Sequence, residues 1–402
     1  MRTFGSFFLT TLFLTLVTNV FPACDDGTRD VLNGGGADGD ADADGDADAD
    51  GLVGYYTQGS KIMTPDGQVA VFRGVNWYGF EDYIMSFSGL HRRSMDDYLD
   101  QLAQLGFNLI RLPYSNEMLT ATAPTRNGIK YELNPDLEGL TPLEMLDVAI
   151  NKIGNRGMKI ILDRHRPTAA EQSQFWFTDD VSEQQWINDW VMLANRYKGH
   201  PAIIGADLHN EPSGMTTWGW NDVSSDWNLA AERCGNAVLA ANPDWLIIVE
   251  GTEKNSAWQT GAYGSNYWAG GNLMGVSVAP VNLNVPNKLV YSTHDYGPEI
   301  YNQPWLKDAA FPSNLPAVFD EYWGYIAKNQ IAPVLVGEFG IKDTTNTQAV
   351  QWMTALVNYI QANGIYWTYW MWTPDSNDTG GILANDWTGV NQDKLNLLGP
   401  LM

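Results

Sequence analysis

The chain has 402 residues, 44% of them hydrophobic and only 17% charged, with a formal net charge of −24. That apolar content is enough for a sizeable core, and an acidic body repels phosphate backbones and anionic lipid heads, which excludes nucleic acid as a partner. So few charges suit a neutral ligand better than an ionic one.

Residues 1–23 open on one Arg, continue as an apolar stretch from Phe7 to Val17 and end in small residues, the pattern of an export signal. The stretch is too short to span a bilayer comfortably. "FPAC" resembles a bacterial lipobox, in which Cys24 is lipidated and becomes the new N-terminus; the alternative is an ordinary signal cleaved near Ala23. The expected location is therefore the cell surface or outer envelope as a lipoprotein, or else the medium, with membrane contact only through that anchor. Residues 24–51 hold ten Asp against one Arg, alternating with Ala and Gly from Asp38 to Asp50. Such a segment self-repels into a disordered spacer. Asp40, Asp42, Asp44 and Gly45 imitate the start of an EF-hand loop, but the twelfth position is Gly51 where a bidentate Glu is needed. The second cysteine, Cys234, sits in a helical pattern, so a buried thiol and no disulfide are expected.

Residues 52–402 alternate two patterns. "QVAVFRGVNW" (68–77) reads as a strand behind a Pro65-Asp66-Gly67 turn, with a short extended segment before it that caps one end of the fold. Strands follow at "FNLIRLPY" (107–114), "MKIILDRH" (158–165), "AIIGADLHNEP" (202–212), "WLIIVEG" (245–251), "KLVYSTHDYG" (288–297), "APVLVGEFG" (332–340) and "IYWTYWMW" (365–372). Amphipathic helices are expected between them at 93–106, 141–157, 183–199, 226–241, 316–329 and 347–364, while the stretch after the fifth strand is rich in Gly, Trp and Asn and is the weakest unit. Eight apolar strands separated by helices predict a parallel sheet closed into a (β/α)₈ barrel with an N-terminal β-hairpin cap.

Chemistry in such barrels sits where the strands end. The residues ending these runs are Asn76 and Trp77, Arg111, His165, Asn210 and Glu211, Glu250, His294 and Tyr296, Glu338, and Trp370 or Trp372. Two carboxylates, on strands 4 and 7, suit glycoside hydrolysis, in which one acid protonates the leaving oxygen and a carboxylate about 5–5.5 Å away attacks the anomeric carbon. That division needs Glu211 to keep its proton among apolar neighbours while Arg111 holds Glu338 charged. Glu250 stands in no second motif. The five His are scattered, with no HExxH, CxxC or GxSxG, so neither a metal nor a cofactor is expected. Of seventeen Trp, those at 186, 190, 227, 323 and 352 fall in helical patterns and read as core. Those at 77, 176, 218, 220, 258, 268, 370, 372 and 387 fall at strand ends or in loops, where a flat aromatic face can stack on a sugar ring.

"GVNWYGFE", "NLIRLPYS", "IILDRHRP", "DLHNEP", "LVYSTHDYG", "VGEFG" and "WTYWMWTPDSNDTGGIL", in that order from about Tyr55 to Trp387, resemble glycoside hydrolase family 5 and its bacterial endo-β-1,4-glucanases. The resemblance implies a retaining mechanism with Glu211 as general acid/base and Glu338 as nucleophile. It further implies that Arg111 and Tyr296 hydrogen-bond the nucleophile, that Asn210 binds the sugar 2-hydroxyl, and that His165 and His294 line the same subsite. Trp370 matches the stacking platform, and Trp372, Trp77 and Trp268 are expected among the cleft aromatics. A monomer acting on a β-glucan or cello-oligosaccharide is expected; the same chemistry on mannan, xyloglucan or mixed-linkage glucan, and a glycan-binding protein without activity, are the alternatives.

Overall fold

A computed structural model describes residues 54–254 and 261–402. Cys24, the leader, the Asp-rich segment and Trp258 lie outside the described residues. A hairpin of β1 (Tyr56–Gln58) and β2 (Lys61–Met63) precedes eight strands: β3 (Gly74–Asn76), β4 (Leu109–Ser115), β5 (Lys159–Arg166), β6 (Ile203–Asp207), β7 (Leu246–Glu250), β8 (Leu289–His294), β9 (Val334–Glu338) and β10 (Tyr366–Tyr369). These eight are parallel and close in sequence order, β10 pairing with β3. The first barrel strand is shorter than its apolar run: Val69 and Val71 are exposed, and only Gly74–Asn76 enters the sheet.

Local signals set the helix ends. Ser94 caps α1 (Met95–Gln104) by accepting from the Asp97 amide, and α2 (Pro142–Gly154) begins with a reciprocal Thr141–Glu144 capping box and a proline at its first position. Helices α3 (Glu183–Arg196) and α4 (Trp227–Ala241) follow β5 and β6. Among the described residues of the crossover after β7, where the sequence pattern is weakest, the helical element is a short 3₁₀ turn, Met274–Ser277. The helix after β8 is continuous but irregular, α5 (Leu315–Phe319) passing through a π-helical segment, Asp320–Gly324, into α6 (Tyr325–Lys328). Last come α7 (Thr347–Asn363), ended by Gly364 in the left-handed region at φ 58°, and a short α8 (Gln392–Leu398).

Two apolar layers hold the barrel. Ile62 of the hairpin packs with Leu109, Ile161, Ile204, Leu246, Val290 and Leu335 to plug the floor, and its amide is bound by the Tyr366 hydroxyl at 2.8 Å. Outside the sheet the expected helical tryptophans, 186, 190, 227, 323 and 352, are all fully buried. Burying side chains of this size stabilises by about 1.5–3 kcal/mol each. Trp186 and Trp190 of α3 both donate to the Leu208 carbonyl, at 2.9 and 3.1 Å, so the helix grips the chain just where β6 gives out. Three residues later comes Glu211.

Candidate active site

The mouth of the barrel is organised around Arg111, which is fully buried. In-register pairing puts it beside Asn76, and it reaches across the lumen to four other strands. Its Nε donates to Asp207 Oδ2 at 2.8 Å; Nη1 donates to Glu338 Oε1 at 2.7 Å and Asn76 Oδ1 at 3.1 Å. Nη2 donates to Asn210 Oδ1 and Glu250 Oε1, both at 2.9 Å, and lies 3.1 Å from Asp163 Oδ2. Four carboxylates around one guanidinium exceed its charge. Burial therefore pushes Asp163 up to about 6, and Asp207 and Glu250 up to about 7, so the cluster carries protons near neutrality.

Glu338 is fixed at both oxygens, by Arg111 at Oε1 and by the Tyr296 hydroxyl at Oε2, 2.7 Å away. Asn210, its Oδ1 occupied by Arg111, leaves its amide nitrogen near the cleft, 3.5 Å from His165 Nε2. His165 Nδ1 faces Asp163 Oδ2 at 2.7 Å, and the ring stacks on Trp370 with centroids 5.5 Å apart. Burial lowers His165 to about 3, so it is neutral, with its proton on Nδ1 toward the aspartate.

Glu211 adopts the left-handed region, φ 51°, between Asn210 and Pro212. Its amide donates to Glu250 Oε2 at 2.7 Å, which satisfies the strained turn and aims the side chain out of the sheet. Gly270 backs this turn: at φ 68° it passes so close that a Cβ would run into Glu250 Oε2 and lie 3.2 Å from Glu211 Cα. Glu211 Oε1 meets His294 Nδ1 at 3.1 Å and Oε2 accepts from Gln172 Nε2 at 2.8 Å. His294 also lies 3.6 Å from Glu338 Oε2 and 3.3 Å from Glu250 Oε1. One carboxylate oxygen each from Glu211 and Glu338, with one nitrogen of His294, lie within 4.8 Å of one another.

The proton assignment differs from the expected one. Burial raises Glu211, but His294 and Gln172 outweigh it and hold the carboxyl below its usual range. For Glu338 burial wins over His294 and Arg111, and its pKa rises. His294 is itself raised despite burial, because Glu250 and Glu338 favour its charged form. Titration thus belongs to the Glu211–His294–Glu338 group rather than to one residue. Metal-ligand spacing occurs among the described residues only in this group and in Asp163–Asp207–Glu250, whose oxygens already face Arg111.

A recess of about 290 Å³ holds His165, Asn210, Glu211, Tyr296, Glu338 and Trp370 on one surface, with Gln172 and Trp268 at its edge. Beyond Trp268 a second cavity of about 660 Å³ continues, lined by Tyr263, Tyr301, Gln303 and Glu253. Two aromatic assignments do not hold. Trp77 is fully buried, stacked on Phe87 at 3.9 Å, because Asn76 faces the lumen and the next residue on a strand must face outward. Trp372 is also fully buried: β10 ends at Tyr369, so strand alternation no longer places residue 372 beside Trp370. Trp176 and Trp218 are core residues too, whereas Trp220 is exposed. Sequence reading missed Asp163, Asp207 and Gln172. The aspartates had a signal, Asp207 the one charge in the apolar strand IIGAD and Asp163 the charge that directly follows the apolar run IIL; Gln172, in a loop, had none.

A sequence model of the family described as "Cellulase (glycosyl hydrolase family 5)" matches residues 67–376. The chain belongs to glycoside hydrolase family 5. It is 52% identical over 349 residues to an endoglucanase of Paenibacillus polymyxa, covering 87% of each chain. Among solved structures, the catalytic domain of the major endoglucanase from Xanthomonas campestris pv. campestris is 41% identical, with 86% of this chain and 99% of that one covered and a TM-score of 0.81. An endocellulase of Pyrococcus horikoshii complexed with cellotetraose is likewise 41% identical, covering 87% and 98%, with a TM-score of 0.81.

Because the His294 imidazolium lowers both carboxylates, His294→Asn is expected to move the acidic limb of the kcat/KM profile to higher pH. The sign follows from Glu338: without that cation its carboxyl is harder to ionise, so a rate that needs it ionised is lost earlier as pH falls. An acid limb unchanged from wild type in a pH series on a soluble glucan would remove His294 from this role.

Proposed function

We propose that the protein hydrolyses internal β-1,4-glucosidic bonds of cellulose or related β-glucans with retention, Glu338 attacking the anomeric carbon and Glu211 serving as acid and then base. The observation that carries this is the separation and unequal support of the two carboxylates. Oxygens within 4.8 Å suit the short spacing of double displacement, with no room for a water between the carboxylate and the sugar. Arg111 and Tyr296 leave Glu338 one orientation, while Glu211, 23% exposed, faces the cleft.

In the first step Glu338 forms a bond to the anomeric carbon as the glycosidic bond breaks and the leaving oxygen takes a proton from Glu211. In the second, Glu211 removes a proton from water, which displaces Glu338. The competent state carries a proton on Glu211 and none on Glu338. A line from Glu211, after β6, to Glu338, on β9, divides the mouth. Trp370 and His165 lie on the side of β10 and β5, and the larger cavity is built by the loops after β7 and β8 on the other. With the glycosyl ring on Trp370, the departing half of the chain enters that cavity. Tyr301, 63% exposed, offers it an aromatic face. We further propose, from the leader sequence, that the enzyme is exported and held by a lipid on Cys24.

Glu338→Ala is expected to reduce hydrolysis of carboxymethylcellulose to background with folding intact. Glu211→Ala should fall roughly 10²–10⁴-fold on unactivated glucan yet retain the first step on an aryl cellobioside with a good leaving group. Reducing-sugar release across pure cellulose, mannan, xyloglucan and mixed-linkage glucan completes the test: preference for a non-glucan, or turnover by Glu338→Ala, would overturn the reading. Mass spectrometry of the mature protein should find a diacylglyceryl Cys24; an unmodified N-terminus beyond residue 24 would reject the anchor.

A further inference from the structure

The two oxygens of Glu211 are held very differently. Oε1 meets His294, which is fully buried and also lies 3.6 Å from Glu338, so this oxygen is pinned against the inner wall. Among the described residues Oε2 is hydrogen-bonded only by Gln172, an exposed side chain at the rim of the recess. Around Gln172 its loop is firmly rooted. Trp176 is buried and donates to Glu183 Oε2 at 2.7 Å. The Gln174 carbonyl accepts from Ser213 N at 3.3 Å and Thr216 Oγ1 at 2.8 Å, tying the loop to the segment that follows Glu211. The amide of residue 172 is thus delivered to the carboxylate by a fixed base, yet the side chain itself is open to solvent.

A glycosidic oxygen is an acceptor only and can approach Oε2 only when that oxygen carries a proton. In this structure Oε2 is engaged by an N–H donor, an arrangement that suits the ionised carboxylate. The two partners compete for one position. Resting on the reading of Glu211 as acid/base, we propose that Gln172 is a displaceable positioning residue: it holds the cleft-facing oxygen of Glu211 until substrate binds, then yields that place to the glycosidic oxygen. As it leaves, Oε2 takes a proton from solvent and turns it toward the leaving group. The other groups facing Glu211 are His294, Glu250, Glu338, Tyr296, His165 and Asp163; His294 hydrogen-bonds Oε1 and Glu250 the backbone amide.

The test exploits the fact that kcat/KM reports the free enzyme and kcat the bound complex. Gln172→Met keeps the length of the side chain and removes the donor; being exposed, it should fold as wild type. Loss of a donor to the ionised form raises the Glu211 pKa, so the basic limb of kcat/KM should move to higher pH while that of kcat stays in place. No movement of the kcat/KM limb, or equal movement of both limbs, overturns the proposal. Gln172→Asn, which is too short to reach, should behave like Gln172→Met; a wild-type profile would contradict the contact. Glu211→Ala, assayed in parallel with azide on an aryl cellobioside, separates the two levels. Formation of a β-glycosyl azide upholds Glu211 as acid/base whatever Gln172 does, and its absence removes the reading on which the inference rests.

Discussion

A guanidinium sealed inside a barrel must be neutralised by groups sealed in with it, and Arg111 imposes that requirement on six strands at once. Its five N–H donors are spread over Asn76, Asp207, Asn210, Glu250 and Glu338, with Asp163 alongside. Removing one partner from such a cluster leaves an uncompensated buried charge, which costs far more than the pair contributes. The strand ends are therefore locked to one another at the level where the substrate would lie. Rigid placement of Glu338 and Asn210 follows directly, since each spends an atom on Arg111.

The same crowding explains the proton inventory. Burial alone drives carboxyls toward neutrality, and the cluster answers by raising Asp163, Asp207 and Glu250 and by charging His294. His294 is the link between this inner layer and the cleft, touching Glu211 on one side and lying near Glu250 and Glu338 on the other. Glu211 and Glu338 are consequently not independent titrations. What distinguishes them is access: Glu338 is 4% exposed and doubly held, whereas Glu211 opens onto the cleft.

Much of this was legible in the sequence. Apolar runs and helical patterns mark the eight strands and most helices, and Arg111, His165, Asn210, Glu211, His294, Tyr296, Glu338 and Trp370 stand out because they end apolar runs. All eight meet at the barrel mouth. The errors came where proximity along the chain was taken for proximity in space. Trp77 follows an inward-facing Asn76 and so turns out against Tyr98 of α1, and Trp372 lies past the end of its strand. The direction of the Glu211 shift was illegible because it depends on His294 and Gln172, 83 and 39 residues away.

The central claim is that this buried network presents Glu338, and not Glu211 or Glu250, as the group that bonds to the sugar. Trapping with a 2-deoxy-2-fluoro cellobioside bearing a good leaving group, followed by peptide mass mapping, tests it most directly. One fluorocellobiosyl adduct on the peptide containing Glu338 is predicted. An adduct on the Glu211 or Glu250 peptide, or a first-formed product with inverted anomeric configuration, would contradict the account.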